Sequence, residues 1–268
     1  MTAPSLSIVI PAYNEAGRIR DSLERLHVWL AVPGRLPGPV EILVVDDGSR
    51  DDTAAIVEAF AAGAVARPAG AAAGSALRLL RNGVNRGKGY SLKHGVLLAA
   101  GTYVLLSDAD FSTPIDELPV LLNPVAASEC DIAIGSRGLR GSRVELRQPI
   151  WRQTMGRIFN RIVRMLTRLP YRDTQCGFKL MRREAAAPLF RAARVERFAY
   201  DVEILMLARK AGLRVREVPV LWRDAPGSKV HAVKDSLAML RDVLQVLWRE
   251  HRGRYDRLAP QRDGAPAS

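Results

Sequence analysis

The first half of the chain alternates short apolar runs with amphipathic stretches. The apolar runs are each too short for a helix and end in polar residues, which is typical of strands buried between two layers of helices. Between them, apolar residues recur at helical spacing, as from Ile19 to Leu30. This regular alternation predicts a mainly parallel, doubly wound sheet. The five strands predicted are residues 6–11, 40–45, 77–81, 103–106 and 130–134.

Beyond residue 138 this rhythm changes, and longer amphipathic stretches follow. After a basic loop, a helix is predicted at about 150–168, and a second long helix is predicted at 233–250. The elements predicted between these helices are strands at 177–182 and 214–222 and helices near 184–193 and 201–211. The expected fold class is therefore α/β, with a mainly parallel, Rossmann-like central sheet flanked by helices and a C-terminal region of amphipathic helices.

Residues that favour helix starts refine two boundaries. Asp51, Asp52 and Thr53 suit the start of the helix that follows the second strand, since Asp and Thr are favoured at the N-cap. Pro114 suits the first turn of the helix that follows the fourth. The Ala/Gly-rich residues 61–76 contain Pro68 and are predicted to be mostly loop.

Polar clusters follow four of the predicted strands. The clusters are Asn14-Glu15, Asp46-Asp47-Gly48-Ser49, residues 85–89 (Asn-Arg-Gly-Lys-Gly) and Asp108-Ala109-Asp110. Open α/β sheets bind ligands outside the carboxyl ends of their parallel strands, which meet at one edge. We therefore expect the four clusters to form a single site.

Each cluster alone has a structural alternative. Asp46-Asp47-Gly48 suits a tight turn, and Asp110 could merely start one. The glycines beside Lys88 do not make a dinucleotide fingerprint, because Leu92 stands in the place of the third glycine. Asp108 and Asp110 together can present oxygens to Mg²⁺ or Mn²⁺, ions that proteins often hold by one or two carboxylates and substrate phosphates.

Composition narrows the class of partner. Lys+Arg exceed Asp+Glu by 40 − 28 = 12, a balance that favours nucleic acid, nucleotide phosphates or an anionic membrane face. The sequence has no aromatic–basic nucleic-acid motif, so nucleic-acid binding is not expected. Two cysteines favour a reducing compartment. Neither a signal-peptide pattern nor an apolar window of about 18 residues is found, which predicts a cytoplasmic protein with the membrane surface still open to it.

In this order and spacing, the four clusters resemble the GT-A glycosyltransferases of family 2, over about residues 5–240. The second half looks like the dolichyl-phosphate glucosyl- and mannosyltransferases, the glucosyl branch more closely. The segments that carry this likeness are Gly135-Ser136-Arg137, residues 173–179 (Asp-Thr-Gln-Cys-Gly-Phe-Lys), residues 198–203 (Phe-Ala-Tyr-Asp-Val-Glu) and Gly227-Ser228-Lys229. The resemblance implies one GT-A domain over 1–253, with a nucleotide-binding half to about 137. The polar tail at 254–268 is expected to be disordered.

The resemblance also implies a site for a nucleotide-sugar donor. Glu15 would accept hydrogen bonds from ribose hydroxyls. Asp47 would contact the base or ribose and Asp46 would brace the loop, although these two roles could be exchanged. Asp108 and Asp110 would hold Mg²⁺ or Mn²⁺ against the diphosphate, neutralising the departing nucleoside diphosphate. The implied donor residues are Pro11, Tyr13, Glu15, Asp46, Asp47, Lys88, Asp108, Ala109, Arg223, Ser228 and Lys229.

The implied acceptor side depends on the acceptor. A polyprenyl phosphate is already an anionic nucleophile and needs cationic contacts such as Arg137 and Arg152, whereas a sugar hydroxyl needs a base, for which Asp201 is the candidate. The implied acceptor residues are Arg137, Arg152, Asp173, Gln175 and Glu203, and the catalytic residues are Asp110, Arg137 and Asp201.

The expected function is therefore inverting, metal-dependent transfer of a hexose to a polyprenyl or dolichyl phosphate. Glucose from UDP-glucose is the expected donor sugar, and inversion is implied by the resemblance. The alternative is a family 2 enzyme that uses GDP-mannose or another donor, or a hydroxyl acceptor on a soluble molecule or glycan.

Two helices bear on the membrane and on self-association. In 150–168, an apolar stripe runs beside arginines at 157, 161, 164 and 168, which suits either an interfacial helix on anionic lipid or an ordinary surface helix. In 233–250, Val233, Leu237, Leu240, Leu244 and Leu247 follow heptad spacing, which favours core packing or a contact between copies of the chain over a membrane anchor. The expected location is peripheral, on the cytoplasmic face of a membrane.

Overall fold

The structure is a computed structural model that describes residues 5–36, 38–63, 76–145, 150–223 and 232–258. The strands are β1 (Leu6–Ala12), β2 (Val40–Asp46), β3 (Ala76–Arg81), β4 (Tyr103–Leu106), β5 (Ile132–Ser136), β6 (Arg143–Glu145), β7 (Lys179–Arg182), β8 (Val215–Pro219) and β9 (Leu221–Arg223). The helices are α1 (Ile19–Leu30), α2 (Thr53–Ala61), α3 (Lys88–Leu98), α4 (Leu118–Ala126), α5 (Ile150–Thr167), α6 (Arg183–Ala192), α7 (Tyr200–Lys210) and α8 (Ala232–His251).

Seven strands form one sheet in the order β3-β2-β1-β4-β7-β5-β8. The pairs β1–β2, β1–β4, β2–β3 and β5–β8 are parallel, and β7 runs antiparallel to both of its neighbours. The mainly parallel sheet predicted from the alternation of elements is therefore confirmed. Because β1, β2 and β4 are adjacent and parallel, their carboxyl ends lie side by side.

Helices cover both faces of the sheet. Every residue of β2 is buried, and its apolar side chains divide between two clusters: Leu43 and Val45 join one, and Ile42 and Val44 join the other. The first cluster includes apolar side chains of α3, α5, α6, α7 and α8, and the second includes those of α1, α2 and α4. This two-sided burial explains why the strands are nearly continuous apolar runs.

Some predicted boundaries are wrong. The strand predicted over 214–222 is two strands: β8 ends at Pro219, and the Val220 N–H makes a last hydrogen bond to the Ser136 carbonyl of β5 at 3.2 Å before the chain leaves the large sheet. Its second part, β9, pairs with β6 in a separate two-stranded sheet, and β6 lies in what was predicted to be loop.

One helix start agrees with the prediction and one differs. Helix α2 begins at Thr53, whose N–H donates to the Asp51 carboxylate at 3.1 Å. Pro114 precedes a 3₁₀ turn at Ile115–Glu117, and α4 begins only at Leu118.

The prediction of a disordered tail from residue 254 is wrong for its first residues. Tyr255 is buried in the core and donates a hydrogen bond to Glu203, and Asp256–Leu258 form a 3₁₀ turn. The domain therefore reaches at least Leu258, and residues 259–268 lie outside the described part of the chain.

Candidate active site

The polar clusters that follow β1, β2 and β4, together with the one before α3, lie at one edge of the sheet, as predicted. The Asn14 N–H donates to Ser49 Oγ at 2.9 Å, which joins the first cluster to the second. Lys88 Nζ lies 2.5 Å from Asp108 Oδ1, which joins the third to the fourth. The shared edge follows from the parallel pairing of β1 with β2 and β4.

The two aspartates after β2 both brace the backbone. Asp46 accepts from the Ser49 N–H at 3.2 Å and closes the turn. Asp47 is buried and accepts from the Arg86 and Gly87 N–H groups at 3.0 and 2.7 Å. The bracing expected of Asp46 is present, and Asp47 holds the loop before α3 as well. Its direct contact with a nucleoside stays a prediction.

Glycine is required twice where these loops pack together. Gly48 has φ +73°, and a Cβ there would lie 2.6 Å from the Val84 carbonyl carbon. Gly87 has φ +109°, and a Cβ there would lie 2.5 Å from the Glu196 carbonyl oxygen. The glycines beside Lys88 therefore serve close packing of this loop against residues 195–197, which sets the start of α3 and the position of Lys88.

Asp108 and Asp110 follow β4 and retain exposed carboxylate surface: their side chains are 34% and 20% exposed. The Asp108 carboxylate lies against Gly177, where a Cβ would come within 2.7 Å of Asp108 Cγ. Asp110 accepts from the Ser112 N–H at 2.9 Å, and Arg18 Nη1 lies 3.6 Å from its other oxygen. Between them Ala109 is buried.

The protonation equilibria of the pair are shifted in opposite directions. Burial raises the pKa of Asp110, and the negative charge of Asp108 adds to the shift. Burial opposes ionisation of Asp108 too, but the Lys88 ammonium beside it holds the pKa of that carboxyl below its ordinary value. The two carboxylates therefore interact with each other and create a site that favours positive charge.

This pair fits a hard divalent cation that takes the rest of its ligands from elsewhere. Within the described ranges, no group of three or more His, Cys, Asp or Glu side chains is placed to hold a metal ion. Two carboxylates at the end of a strand supply the hard oxygen ligands that Mg²⁺ and Mn²⁺ prefer, and phosphates and water commonly complete the shell.

The residues after β1 surround the same edge. Pro11 and Tyr13 are partly exposed at the end of the strand. Glu15 is held by Arg18, whose Nη2 lies 2.8 Å from Glu15 Oε1, and Arg18 thereby bridges Glu15 and Asp110. Sequence reasoning missed Arg18, although its spacing of three residues from Glu15 at the start of α1 was a usable signal.

Arg137 is clamped by Asp173. The pair is bidentate, with Nε–Oδ2 at 2.6 Å and Nη2–Oδ1 at 2.9 Å, and the Arg137 N–H also donates to Asp173. Burial opposes ionisation of Asp173, but the guanidinium holds the pKa of Asp173 down at about 2. The Gln175 N–H donates to the same carboxylate. Asp173 was predicted to contact the acceptor; its oxygens instead position Arg137, which is one-third exposed.

Asp201 is also engaged by a cation. Lys179, only 1% exposed, forms an ion pair with Asp201 and donates to the Cys176 carbonyl. Burial raises the pKa of Asp201, while the Lys179 ammonium opposes the rise. Sequence reasoning missed Lys179; the signal was a lysine within an apolar strand. In this structure Asp201 is the buried partner of an ammonium, which argues against its predicted role as a base.

Glu203 was predicted to lie on the acceptor side, and this is wrong. It is fully buried, and its carboxylate accepts from the Arg194 and Val195 N–H groups at 3.0 and 2.8 Å and from the Tyr255 hydroxyl at 2.5 Å. These bonds tie α7 to the preceding loop and to the C-terminal segment, so Glu203 is structural.

Of the four remaining residues predicted to contact the donor or acceptor, the structure describes the side chain of one, Arg223. Arg223 is exposed and pairs with Glu145 at 2.9 Å, while its N–H donates to the Ser112 carbonyl at 2.7 Å, two residues after Asp110. Ser228 and Lys229 lie outside the described residues, as does the side chain of Arg152, whose backbone belongs to α5.

Comparison with known proteins agrees with this geometry. Residues 7–190 match the family described as Glycosyl transferase family 2. The dolichyl-phosphate beta-glucosyltransferase of Dictyostelium discoideum is 34% identical over 250 residues, which cover 91% of this chain and 74% of that protein. The enzyme of the same name from Drosophila melanogaster is 35% identical, over 90% of this chain and 74% of its own length.

Solved structures show the same fold. Mannosyl-3-phosphoglycerate synthase from Rubrobacter xylanophilus superposes with a TM-score of 0.65 at 18% identity, covering 99% of this chain and 78% of that one. Glucosyl-3-phosphoglycerate synthase from Mycobacterium tuberculosis gives 0.58 at 21% identity, covering 97% and 82%. The sheet and its flanking helices are those of a GT-A fold, and the chain belongs to glycosyltransferase family 2.

Proposed function

We propose that this chain transfers glucose from UDP-glucose to the phosphate of dolichol or another polyprenol, with inversion and with Mg²⁺ or Mn²⁺. Family membership supports sugar transfer, and two relatives above 30% identity are named dolichyl-phosphate beta-glucosyltransferases. In the reaction, the bond from the anomeric carbon to UDP breaks while a bond to an acceptor phosphate oxygen forms. Because the sugar of UDP-glucose is α-linked, a β product requires inversion.

On the donor side, Asp108 and Asp110 would hold the metal ion. A divalent cation there would offset the negative charge on the departing UDP. Lys88 would turn its ammonium from Asp108 towards the diphosphate, since the two positions lie within reach of one flexible side chain. Glu15, kept in place by Arg18, would accept from the ribose hydroxyls.

The pairing of the acceptor-side carboxylates within the protein supports a phosphate, rather than a hydroxyl, as the acceptor group. Asp173 is paired with Arg137, Asp201 is paired with Lys179, and Glu203 is enclosed by backbone donors. None of these three is a free base for a hydroxyl. A phosphate monoester is already anionic and needs no base, and the partly exposed Arg137 guanidinium suits its oxygens.

We propose that the enzyme works on the cytoplasmic face of a membrane, as a peripheral protein. A polyprenyl phosphate keeps its chain in the bilayer and its phosphate at the surface, so the enzyme must meet it there. Both cysteines, Cys130 and Cys176, are buried free thiols, which suits a reducing compartment. In the described part of the chain, no helix is long and apolar enough to cross a bilayer.

The test is a transfer assay with labelled UDP-glucose or GDP-mannose and a short polyprenyl phosphate, with Mg²⁺, with Mn²⁺ and with EDTA. We expect lipid-linked label from UDP-glucose, lost with EDTA, and a β-glucosyl phosphate by NMR. The control is Asp116→Asn, an exposed carboxylate in the same segment as the site. Label from GDP-mannose alone would overturn the donor, and label on a soluble hydroxyl acceptor alone would overturn the acceptor.

A further inference from the structure

The side of α5 that faces away from the core is both apolar and basic. Phe159 and Val163 are buried against the core, and the opposite side of the helix carries Ile158 and Met165, which are 55% and 67% exposed. The exposed arginines beside them are Arg161, Arg164 and Arg168. An ordinary surface helix would carry polar residues at these outermost positions. We refer to the residues Ile158, Arg161, Arg164 and Met165, together with Arg168 directly after the helix, as the outer face of α5.

The same arrangement recurs on α8. Val243 and Val246 are fully buried, whereas Leu237, Leu244 and Trp248 are between 50% and 66% exposed on the opposite side. Of the heptad positions, Leu240 and Leu247 pack on the core, whereas core packing is wrong for Leu237 and Leu244, which face outward. Arg241 stands between them and is exposed. These four residues, Leu237, Arg241, Leu244 and Trp248, are the outer face of α8.

The two outer faces belong to one layer of the fold. α5 and α8 pack against each other, and their buried side chains join the same core cluster. Of the twelve large apolar side chains exposed in the described residues, six lie on these two helices. Scattered exposed apolar residues need no explanation, but such a concentration is typical of an interaction surface.

The charge of this surface selects its partner. Arg161, Arg164 and Arg168 have no ion pair with any described residue, and α5 contains no acidic residue. Arg252, which directly follows α8, packs over the Trp248 ring at 5.3 Å. A second copy of the chain would set like charges against one another. A leaflet with anionic lipids would accept the arginines at its headgroups and the apolar side chains below them.

The surface is also continuous with the acceptor side of the site. Asn160, on α5, donates through Nδ2 to the Arg172 carbonyl at 2.9 Å. The next residue, Asp173, clamps Arg137, the proposed contact for the acceptor phosphate. Helix α5 is therefore linked through residues 172 and 173 to the proposed contact for the acceptor phosphate.

We propose that the outer faces of α5 and α8 together form the surface on which the protein docks to a leaflet containing anionic lipids. This inference rests on the proposed function, because it gives the enzyme its access to a membrane-embedded acceptor. The expected depth is that of an interfacial helix, with the apolar side chains about 5–10 Å into the boundary between headgroups and acyl chains.

Vesicle flotation without donor or acceptor tests the proposal. We expect the protein to float with phosphatidylcholine vesicles that contain phosphatidylglycerol, and not with phosphatidylcholine alone. The triple variant Arg161→Gln/Arg164→Gln/Arg168→Gln should weaken binding on the order of 100-fold, since each basic residue near an anionic surface contributes about fivefold. Leu244→Ser/Trp248→Ser and Ile158→Ser/Met165→Ser should each weaken it about tenfold or more.

The matched control is Val28→Ser/Val120→Ser, which removes two exposed apolar side chains from helices on the other face of the sheet. It should bind as the unsubstituted protein does. Equal flotation with neutral and anionic vesicles, or the same loss in the control, would overturn the proposal. So would a dimer, seen by sedimentation, that the Leu244→Ser/Trp248→Ser variant dissociates while vesicle binding persists.

Failure of the proposed function would be distinguishable from failure of docking. Vesicle binding with no glucosyl transfer would refute the transfer reaction and support the docking surface. Transfer to a short polyprenyl phosphate in detergent, with no vesicle binding, would support the reaction and refute the surface.

Discussion

The carboxylates on the two sides of the site differ in what surrounds them. On the donor side, Asp108 and Asp110 keep exposed oxygen surface, and each has one cationic neighbour. On the acceptor side, Asp173, Asp201 and Glu203 are buried, and each is held by a bidentate arginine, a buried ammonium or several N–H groups. Carboxylates are thus accessible to a ligand on the donor side, whereas on the acceptor side they stabilise the surrounding structure.

This difference separates effects on activity from effects on stability. A carboxylate whose partners are all within the protein lowers the free energy of the folded state, so replacing it should lower the free energy of unfolding. A partly exposed carboxylate whose pKa is raised by burial contributes little to folding, and a perturbed group of this kind is a candidate for contact with a ligand. The predictions below test this division, beginning with the largest expected effect.

Replacing Asp110 with Asn should lower kcat about 1,000-fold, because it removes a charge from the proposed metal site without changing the shape of the side chain. The free energy of unfolding should stay the same or rise slightly, since burial and Asp108 already disfavour the ionised form of Asp110. Transfer assays at several Mn²⁺ concentrations and urea unfolding measure the two quantities. If Asp110→Asn retained full turnover at limiting metal, the donor side of the comparison would fail.

Replacing Gly177 with Ala should lower kcat about 100-fold, because the new methyl group would overlap the Asp108 carboxylate and displace it by a fraction of an ångström or more. Gly156→Ala is the matched control, since a Cβ at that position on α5 meets nothing within 4 Å. The control should retain activity. Equal activity of the two variants would show that Asp108 does not depend on its contact with Gly177.

Replacing Glu203 with Gln should lower the free energy of unfolding by about 3 kcal/mol while leaving kcat of the folded enzyme within about threefold. Gln offers one oxygen where Glu offers two, so donors among Arg194, Val195 and Tyr255 would lose their partner. Urea unfolding and transfer assays at 10 °C check both parts. A large loss of kcat in fully folded protein would instead support the original prediction that Glu203 contacts the acceptor.

The donor side could be predicted from the sequence because its signals are local. Each polar cluster stands directly after or before its own strand or helix, and parallel pairing alone brings the clusters to one edge. The acceptor side could not be assigned in this way. The structural role of Glu203 depends on its hydrogen bond with Tyr255, 52 residues later in the chain. The role of Asp201 depends on its ion pair with Lys179, 22 residues earlier.

Burial on the two amphipathic helices was equally out of reach of sequence pattern. A heptad count on α8 finds leucines at 237, 240 and 244, but it does not determine which of them meets the core. In the structure, where α8 packs on α5 and α7, Val243 and Val246 are fully buried, and of the leucines just named only Leu240 packs on the core. The short strand β6 escaped prediction because three residues are too few to give a reliable period, and for the same reason β9 was not separated from β8.

Asp173 provides the smallest effect and the most specific one, because its contribution should depend on pH. Its folded-state pKa of about 2 lies below the ordinary value of 3.8, so its ionised form stabilises the fold above about pH 4, and this contribution is lost as the pH falls through 4 towards 2. Asp173→Asn should therefore cost about 2 kcal/mol of unfolding free energy at pH 7 and progressively less below pH 4. It should also raise the acceptor KM more than it lowers kcat, since Arg137 would lose its clamp.

Urea unfolding of the Asp173→Asn variant and the unsubstituted protein between pH 2.5 and 7 measures this difference, and Asp116→Asn, an exposed carboxylate, is the control. Asp110 supplies the opposite case, because its raised pKa means that Asp110→Asn should cost no stability at any pH in this range. The proposed difference between the two sides would be refuted by a pH-independent change in stability for Asp173→Asn. It would also be refuted by a loss of stability in Asp110→Asn that grows with pH. The predicted divergence of the two curves follows directly from the partners each carboxylate has: a bidentate guanidinium for Asp173, and a neighbouring carboxylate for Asp110.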